Sequence, residues 1–151
     1  MRIAVIADTH NRLPDEVADA IAGADEIWHL GDVCNTETLA LLQSLGPPVS
    51  AVRGNCDPHR LAPDTLKLRR GARTFYLVHE PPGLVPDGAA FALHGHTHVP
   101  RDETCGGVRY LNPGSVGKAN HGAPASYAWL TLEEGCEPLW KVITLATDRR
   151  S

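Results

Sequence analysis

Three histidines on alternate residues surround a glycine in the segment His94-Gly95-His96-Thr97-His98. The segment follows the apolar run Phe91-Ala92-Leu93, which is typical of a buried strand. Alternate side chains of an extended chain point the same way, so the histidines are expected to share a face until Gly95 lets the backbone turn. Because imidazole is a common metal ligand, we predict a metal-binding loop here, with a histidine-rich surface turn as the alternative.

Four other apolar runs also end in side chains that can bind metal. The runs cover residues 3–7, 27–30, 49–52 and 74–78. The side chains that follow them are Asp8 and His10, Asp32, Asn55, and His79. This recurrence favours a metal site over an isolated histidine turn.

The ligand types indicate which metals and which reaction to expect. Carboxylates and imidazoles without thiolates suit divalent ions such as manganese, iron, nickel or zinc. Two aspartates and several histidines exceed the needs of one ion, so two metals are predicted. A carboxylate such as Asp32 can bridge two ions ~3.5–4 Å apart, a spacing that serves phosphoryl displacement. The expected substrate is therefore a small phosphate ester.

Length, charge and cysteine content limit the other possibilities. A chain of 151 residues with 42% hydrophobic content fits a single domain, residues 1–151, around one core. The net charge of −4 and the absence of a basic stripe exclude long nucleic acid as the expected substrate. Asp8 interrupts the first apolar run early, so we expect a cytoplasmic protein without a membrane partner. The four cysteines form no C-x-x-C pair and are expected to be reduced.

The first half of the chain alternates strand and helix patterns. We expect strands over residues 2–7, 26–30 and 49–52, with helices over 14–22 and 35–45 between them. This alternation predicts a parallel sheet, whose functional sites lie beyond the carboxyl ends of its strands.

The second half is predicted to contain short strands only. They are expected over residues 66–70, 73–78, 89–93, 107–111, 126–132 and 138–145. These strands predict a second, largely antiparallel sheet packed on the first, so the fold class is α/β with two packed mixed sheets flanked by helices. Trp129 and Trp140 are expected in the core of the second sheet, with an interface between copies of the chain as the alternative.

Several short motifs together resemble the calcineurin-like metallophosphoesterases, and most closely their small bacterial and archaeal phosphodiesterase branch. The motifs occur in one order between residue 5 and about residue 117: Asp8-x-His10, Gly31-Asp32, Gly54-Asn55-Cys56-Asp57, His79, Gly95-His96-Thr97-His98 and Asn112-Pro113-Gly114-Ser115. Any one of them alone would be weak evidence. The resemblance implies an αββα sandwich that hydrolyses phosphodiesters by attack of metal-activated water or hydroxide. A phosphomonoesterase and a non-catalytic metal-binding scaffold of the same fold are the alternatives.

The resemblance also implies a role for each matched position. Asp8, His10 and His98 would hold the first metal, Asn55, His79 and His96 the second, and Asp32 would bridge them. Of these, His10, Asp32 and Asn55 are expected to carry catalysis. Manganese is the metal expected first, and iron, nickel, zinc, cobalt and magnesium are the alternatives.

Some positions depart from the family pattern or lie outside it. Cys56 stands where many members have a histidine that protonates the leaving group, and Glu80 follows His79 where glycine is common. Supporting or substrate-facing roles are expected for Cys56, Asp57, Asn112 and Ser115. The remaining histidines are not expected to be ligands: His29, His59, His94 and His121.

Overall fold

The computed structural model describes residues 1–117 and 124–145. Its two helices are α1 (Asp15–Ile21) and α2 (Thr36–Ser44). Its strands are β1 (Arg2–Ile6), β2 (Glu26–His29), β3 (Val49–Ala51), β4 (Thr65–Arg70), β5 (Arg73–Val78), β6 (Phe91–Leu93), β7 (Arg101–Cys105), β8 (Val108–Asn112), β9 (Ser126–Thr131) and β10 (Leu139–Thr144). None of the helices in this described part is long and apolar enough to cross a membrane.

The first sheet has the strand order β10-β9-β1-β2-β3. Strands β1, β2 and β3 are parallel, as predicted, and the helices that connect them pack on the outer face of the sheet. Helix α2 begins where the Asn35 side chain accepts a hydrogen bond from the Thr38 N–H at 2.8 Å, which satisfies a backbone donor of the first turn. The parallel pairing brings the carboxyl ends of three strands to one edge.

The second sheet has the order β4-β5-β6-β8-β7 and is parallel at its centre. Strand β6 runs parallel to both β5 and β8, and only the outer pairs, β4 with β5 and β7 with β8, are antiparallel. The prediction of a largely antiparallel sheet was therefore wrong. All three residues of β6 are buried, which is typical of a parallel strand covered on both faces. This pairing places the loops after β5, β6 and β8 at one edge.

The last two strands belong to the first sheet rather than the second. Strand β9 pairs antiparallel with β1, and β10 pairs antiparallel with β9. Trp129 on β9 and Trp140 on β10 therefore do not lie in the second sheet. Trp129 packs with the residues on the outer face, and Trp140 packs against the core between the sheets. Strand β7 was not predicted, because four of its five residues are exposed and it carries no apolar alternation.

The main core lies between the two sheets, as the prediction of two packed mixed sheets requires. Its large side chains include Trp28 from the first sheet and Phe75 and Phe91 from the second. The ring centroids of Trp28 and Phe75 lie 5.5 Å apart, and those of Phe75 and Phe91 lie 4.8 Å apart. This packing fixes one sheet against the other, so the loops at their common edge have a defined separation.

Candidate metal centre

The predicted ligands follow the carboxyl ends of strands in both sheets, and main-chain hydrogen bonds tie the loops together. The Asp8 N–H donates to the Gly31 carbonyl at 2.9 Å, which joins the loops after β1 and β2. The Gly95 N–H donates to the His79 carbonyl at 2.9 Å, which joins the loops after β5 and β6. Side chains that are far apart in sequence therefore meet at one edge of the sandwich.

The backbone of these loops is strained in a way that turns side chains into a common space. Every non-glycine residue with positive φ in residues 1–117 and 124–145 lies in them: Asp8, His10, Asn11, Asp32, Cys34, His96 and His98. Asp, Asn and His tolerate this region better than most residues, but each such residue still costs of order 1–3 kcal/mol. Strain concentrated at one place is typical of a functional site.

A first group of ligand atoms surrounds the buried carboxylate of Asp8. Atom Oδ1 of Asp8 lies 3.5 Å from His98 Nε2 and 3.9 Å from His10 Nε2. One ligand atom from each of these three residues lies within 4.8 Å of the others, which is a spacing that one metal ion can span. This group matches the first predicted ligand set.

A second group lies beside it, around Asn55 Oδ1. This oxygen is 2.9 Å from His79 Nε2 and 3.3 Å from His96 Nδ1. The two imidazole nitrogens are themselves 3.3 Å apart. This group contains the three side chains of the second predicted set.

Asp32 lies between the two groups. Its Oδ2 atom is 3.7 Å from His10 Nε2 in the first group and 3.3 Å from His79 Nε2 in the second. The structure thus brings all seven predicted ligand side chains together, with Asp32 in the position expected of a shared ligand.

The chemistry of the cluster fits divalent cations. Among residues 1–117 and 124–145, the buried atoms Asp8 Oδ1 and His10 Nε2 have no hydrogen-bond partner. A buried carboxylate oxygen without a donor is costly unless a cation neutralises it. The donors are oxygen and nitrogen atoms of carboxylate, amide and imidazole groups, which suit borderline divalent ions.

Hydrogen bonds from the protein orient the imidazole of His79. Its Nδ1 atom lies 2.8 Å from the Leu30 carbonyl oxygen, which can only accept, so Nδ1 carries the proton. The lone pair of the neutral ring is then on Nε2, which faces Asp32 and Asn55. This arrangement is the usual one for a histidine that binds metal, whose other nitrogen donates to a carbonyl or carboxylate.

The electrostatic environment differs between the two carboxylates. Burial raises the pKa of Asp8 to about 7, and the neighbouring Asp32 adds to the effect. Burial also opposes ionisation of Asp32, but in the metal-free protein the hydrogen bond donated by the protonated form of His79 and the one from the Cys56 N–H outweigh it and hold the pKa of Asp32 well below its usual value. Asp32 is therefore ionised at neutral pH, whereas Asp8 is only partly ionised near pH 7.

Two residues of the Asn112-Pro113-Gly114-Ser115 turn support the ligand loops from behind. The Asn112 Nδ2 group donates to the Gly95 carbonyl at 3.2 Å and to Thr97 Oγ1 at 3.0 Å. The Ser115 hydroxyl donates to the Asp8 carbonyl at 3.2 Å. Both side chains are buried, so they fix the backbone that carries Asp8 and the histidine loop.

The other histidines occupy different environments. His29 is buried, where its Nδ1 accepts from the Gly31 N–H at 3.0 Å and its Nε2 lies 3.1 Å from Thr9 Oγ1. His94 is also buried, and its two nitrogens contact the Gly95 carbonyl and Arg101. His59 is exposed, and His121 lies outside the described residues.

Asp57 has a structural role larger than its place in a sequence motif suggested. Its carboxylate accepts hydrogen bonds from three backbone N–H groups: Asp32 at 2.9 Å, Cys34 at 2.6 Å and Gly54 at 2.8 Å. It therefore joins the loops after β2 and β3. Cys34, two residues after Asp32, was not predicted to lie at the site, yet its sulfur is 3.6 Å from His10 Nδ1.

Close packing of the Gly54 backbone against Asp32 leads to a testable prediction. A Cβ atom at Gly54 would overlap the carboxylate and backbone nitrogen of Asp32. We expect Gly54→Ala to displace Asp32, to lower the phosphoester hydrolysis predicted from the sequence by at least about tenfold and to cost about 1–3 kcal/mol of unfolding free energy. Steady-state kinetics and urea denaturation measure the two effects.

Gly83→Ala is the matched control. A Cβ at Gly83 meets no described atom within 4 Å, and the backbone there does not need a positive φ. This variant is expected to keep wild-type activity and stability. Equal behaviour of the two variants would contradict the close approach at Gly54.

Comparison with known proteins places this geometry in a family. Residues 1–135 match the calcineurin-like phosphoesterase superfamily domain. The chain belongs to the calcineurin-like phosphoesterase superfamily. The family expected from the motifs and the two-sheet fold are therefore confirmed.

Two relatives with similar sequences are phosphoesterases by name. A probable metallophosphoesterase of Methanocaldococcus jannaschii is 34% identical over 132 residues, which are 76% of this chain and 68% of that protein. Phosphodiesterase YfcE of Escherichia coli K12 is 31% identical over 163 aligned positions, which cover 86% of this chain and 87% of YfcE. The solved structure of E. coli YfcE has a TM-score of 0.76, with 28% identity over 87% of this chain and 88% of that one.

The same phosphoesterase fold occurs in a more distant solved structure. Vps29 of Entamoeba histolytica, in complex with Zn²⁺, has a TM-score of 0.74 and 21% identity, and the match covers 95% of this chain and 99% of that one. At this identity the likeness concerns the fold alone.

Proposed function

We propose that this phosphoesterase is a dinuclear, metal-dependent phosphodiesterase. The observation that carries the proposal is the position of Asp32 Oδ2, 3.7 Å from His10 Nε2 and 3.3 Å from His79 Nε2, between two groups of ligand atoms. A carboxylate in this position would serve as a ligand to two cations at once.

The ligand sets follow from the two groups. Asp8, His10 and His98 would hold one cation, Asn55, His79 and His96 would hold the other, and Asp32 would be shared. Manganese is the cation proposed first. When bound, such cations lower the pKa of water and polarise a phosphoryl oxygen, which are the two needs of phosphoester hydrolysis.

The residues of the chain bind and orient the reactants. Asp8 and Asp32 would neutralise only part of the charge of two divalent cations. The site would therefore carry a net positive charge, which favours binding of an anionic ester. A cavity of about 370 Å³ adjoins Asn55 and His79 and is also lined by Arg53 and Glu80. This cavity offers space for one organic group of a diester beside the ligands. YfcE, which is named as a phosphodiesterase, supports the same choice.

The leaving group receives little help from an acid. Cys56 is exposed at the position where many family members have a histidine, and Asn55 Nδ2 lies 3.7 Å from its sulfur. Desolvation by neighbouring protein atoms and the charge of the nearby Asp32 raise the pKa of the Cys56 thiol. A thiol that keeps its proton at neutral pH is a weak general acid. Diesters with good leaving groups are therefore the proposed substrates for an assay.

We expect a chelator to abolish hydrolysis of bis-p-nitrophenyl phosphate and Mn²⁺ to restore it. The loss should exceed about 100-fold, because the nucleophile and the charge stabilisation both depend on the cations. The measurement combines kcat/KM for p-nitrophenyl mono- and diesters with metal analysis of the reconstituted protein. Two metal ions per chain and a higher kcat/KM for the diester are expected.

The same assay separates the alternatives. A higher kcat/KM for the monoester would make the protein a phosphomonoesterase. Binding of two ions without turnover of either ester would leave a metal-binding scaffold. Full activity in metal-free protein would refute the mechanism.

A further inference from the structure

A histidine and two cysteines form a separate cluster at the rim of the candidate centre. One ligand atom from each of His10, Cys34 and Cys56 lies within 4.8 Å of the others. His10 Nδ1 is 3.6 Å from Cys34 Sγ, whereas its other nitrogen, Nε2, faces Asp8 and Asp32. The two nitrogens of one ring therefore serve two different groups of ligand atoms.

The fold holds the two thiols in place from two loops. Cys34 lies in the loop after β2, and its N–H donates to Asp57 Oδ1 at 2.6 Å. Cys56 lies in the loop after β3, and its N–H donates to Asp32 Oδ1 at 2.9 Å. Asp57 also binds the N–H groups of Asp32 and Gly54, so the loops that carry the thiols are joined to each other. The approach of the two sulfurs is thus part of the loop architecture.

The donor set differs in kind from that of the phosphoesterase centre. Sulfur donors select thiophilic cations, whereas the neighbouring oxygen and nitrogen donors suit borderline divalent ions, manganese among them. In a tetrahedral zinc site with the usual Zn–S and Zn–N bond lengths, nitrogen and sulfur ligands lie about 3.6 Å apart. The distance between His10 Nδ1 and Cys34 Sγ has this value. A three-ligand site leaves one position of a tetrahedral ion for solvent.

We infer that His10, Cys34 and Cys56 form a third cation site that binds thiophilic ions such as Zn²⁺ or Cd²⁺. The site competes with the phosphoesterase centre for His10. A neutral imidazole has one unprotonated nitrogen, so the ring serves either the thiol cluster through Nδ1 or the Asp8 group through Nε2. Binding of a thiophilic cation therefore weakens the binding of ions at the neighbouring centre. The competition for His10 rests on the proposed function, because it requires ions in the phosphoesterase centre. Binding of a cation by His10, Cys34 and Cys56 does not require that the protein hydrolyses phosphate esters.

The test uses Co²⁺ as a spectroscopic substitute for zinc. Coordination by thiolate gives Co²⁺ an intense charge-transfer band in the near ultraviolet, which oxygen and nitrogen ligands do not produce. The wild-type protein and the control Cys105→Ser/Cys136→Ser are expected to show the band, and Cys34→Ser/Cys56→Ser is expected to lose it. Each double variant keeps two cysteines, and Cys105 and Cys136 are exposed and absent from the cluster. Zn²⁺ affinity, measured against a chromophoric chelator, should fall at least about tenfold in Cys34→Ser/Cys56→Ser alone.

A further variant separates this inference from the proposed function. His98→Ala removes a ligand of the Asp8 group without touching the thiol cluster, so it should keep the charge-transfer band. The inference is overturned if the wild type shows no band, if Cys34→Ser/Cys56→Ser retains it, or if the control loses it. Absence of hydrolysis in any of these proteins leaves the spectroscopic result unchanged.

Discussion

Replacement of Asp8 by asparagine is expected to stabilise the metal-free protein at pH 8 and to abolish its hydrolytic activity. The Asp8 side chain is fully buried, and burial raises its pKa to about 7, so the ionised form destabilises the fold at pH 8. Asparagine removes the charge and keeps an oxygen that can accept from the His96 N–H, which now bonds to Asp8 Oδ2 at 3.1 Å. The expected gain is about 2–4 kcal/mol of unfolding free energy. Loss of an anionic ligand should lower kcat/KM by more than about 100-fold.

The pH dependence gives this prediction a sign that can be checked. The unfolded Asp8 titrates near 3.8 and the folded one near 7, so the native state holds the extra proton between these values and Asp8 stabilises less as the pH rises through them. His29 acts in the opposite direction, because burial lowers its pKa from 6.5 to about 3. Its contribution is complete above pH 6.5 and falls as the pH is lowered towards 3. The two slopes oppose each other in the wild type. In Asp8→Asn the acid-side loss of His29 should be opposed only by His79, because Asp32 and the Leu30 carbonyl still raise the pKa of His79 in the folded state.

Urea denaturation in the presence of a chelator at pH 5, 6, 7 and 8 measures both effects. Asp102→Asn is the control, because this carboxylate forms an ion pair with Arg109 at 2.9 Å and its side chain is 44% exposed. Exposed pairs contribute about 0–1 kcal/mol, so this variant should not gain stability. If Asp8→Asn unfolds more easily than the wild type at pH 8, the buried charge of Asp8 is already compensated without metal.

Replacement of Asp57 by asparagine is expected to destabilise the protein and to reduce hydrolysis even with saturating metal. The carboxylate accepts from three buried or half-buried N–H groups, and an amide in its place offers one oxygen and turns an N–H group towards other donors. Each donor left without an acceptor costs about 1–3 kcal/mol, so a total loss of about 3–5 kcal/mol is expected. Activity should fall by about 10–100-fold, because Asp32 loses the anchor of its backbone.

Asp64→Asn controls for a change of charge in the same part of the chain. Asp64 forms an ion pair with Arg53 at 2.7 Å, but its side chain is 75% exposed. Its replacement should change the unfolding free energy by less than about 1 kcal/mol. An Asp57→Asn protein with wild-type stability and activity would show that the three hydrogen bonds do not fix the loops.

The alternation of strands and helices in the first half could be predicted because the apolar periodicity there is local. The positions of Asp8, Asp32 and Asn55 after parallel strands then follow from the general behaviour of such sheets. The partners of the later strands could not be predicted in this way. An alternating strand such as β9 fits either sheet by pattern, and its pairing with β1 depends on the packing of the whole molecule.

The candidate site also combines features that could be predicted from the sequence with contacts that depend on tertiary structure. The types of the ligand side chains are visible in the sequence, as is their order along the chain. The three bonds of Asp57 and the approach of Cys34 to His10 depend on loops that only tertiary structure brings together. The buried environments that separate the pKa values of Asp8 and Asp32 have the same origin.

The positive φ angles of the ligand loops affect how this protein would respond to selection for heat resistance. Glycine adopts this backbone region without the penalty that Asp8, Asp32, His96 and His98 incur. Glycine at any of these positions would relieve strain and remove a ligand in the same step. A screen that rewards heat resistance in metal-free medium would therefore enrich inactive chains, whereas the same screen with metal present would favour retention of the ligands, because bound ions stabilise only the folded state.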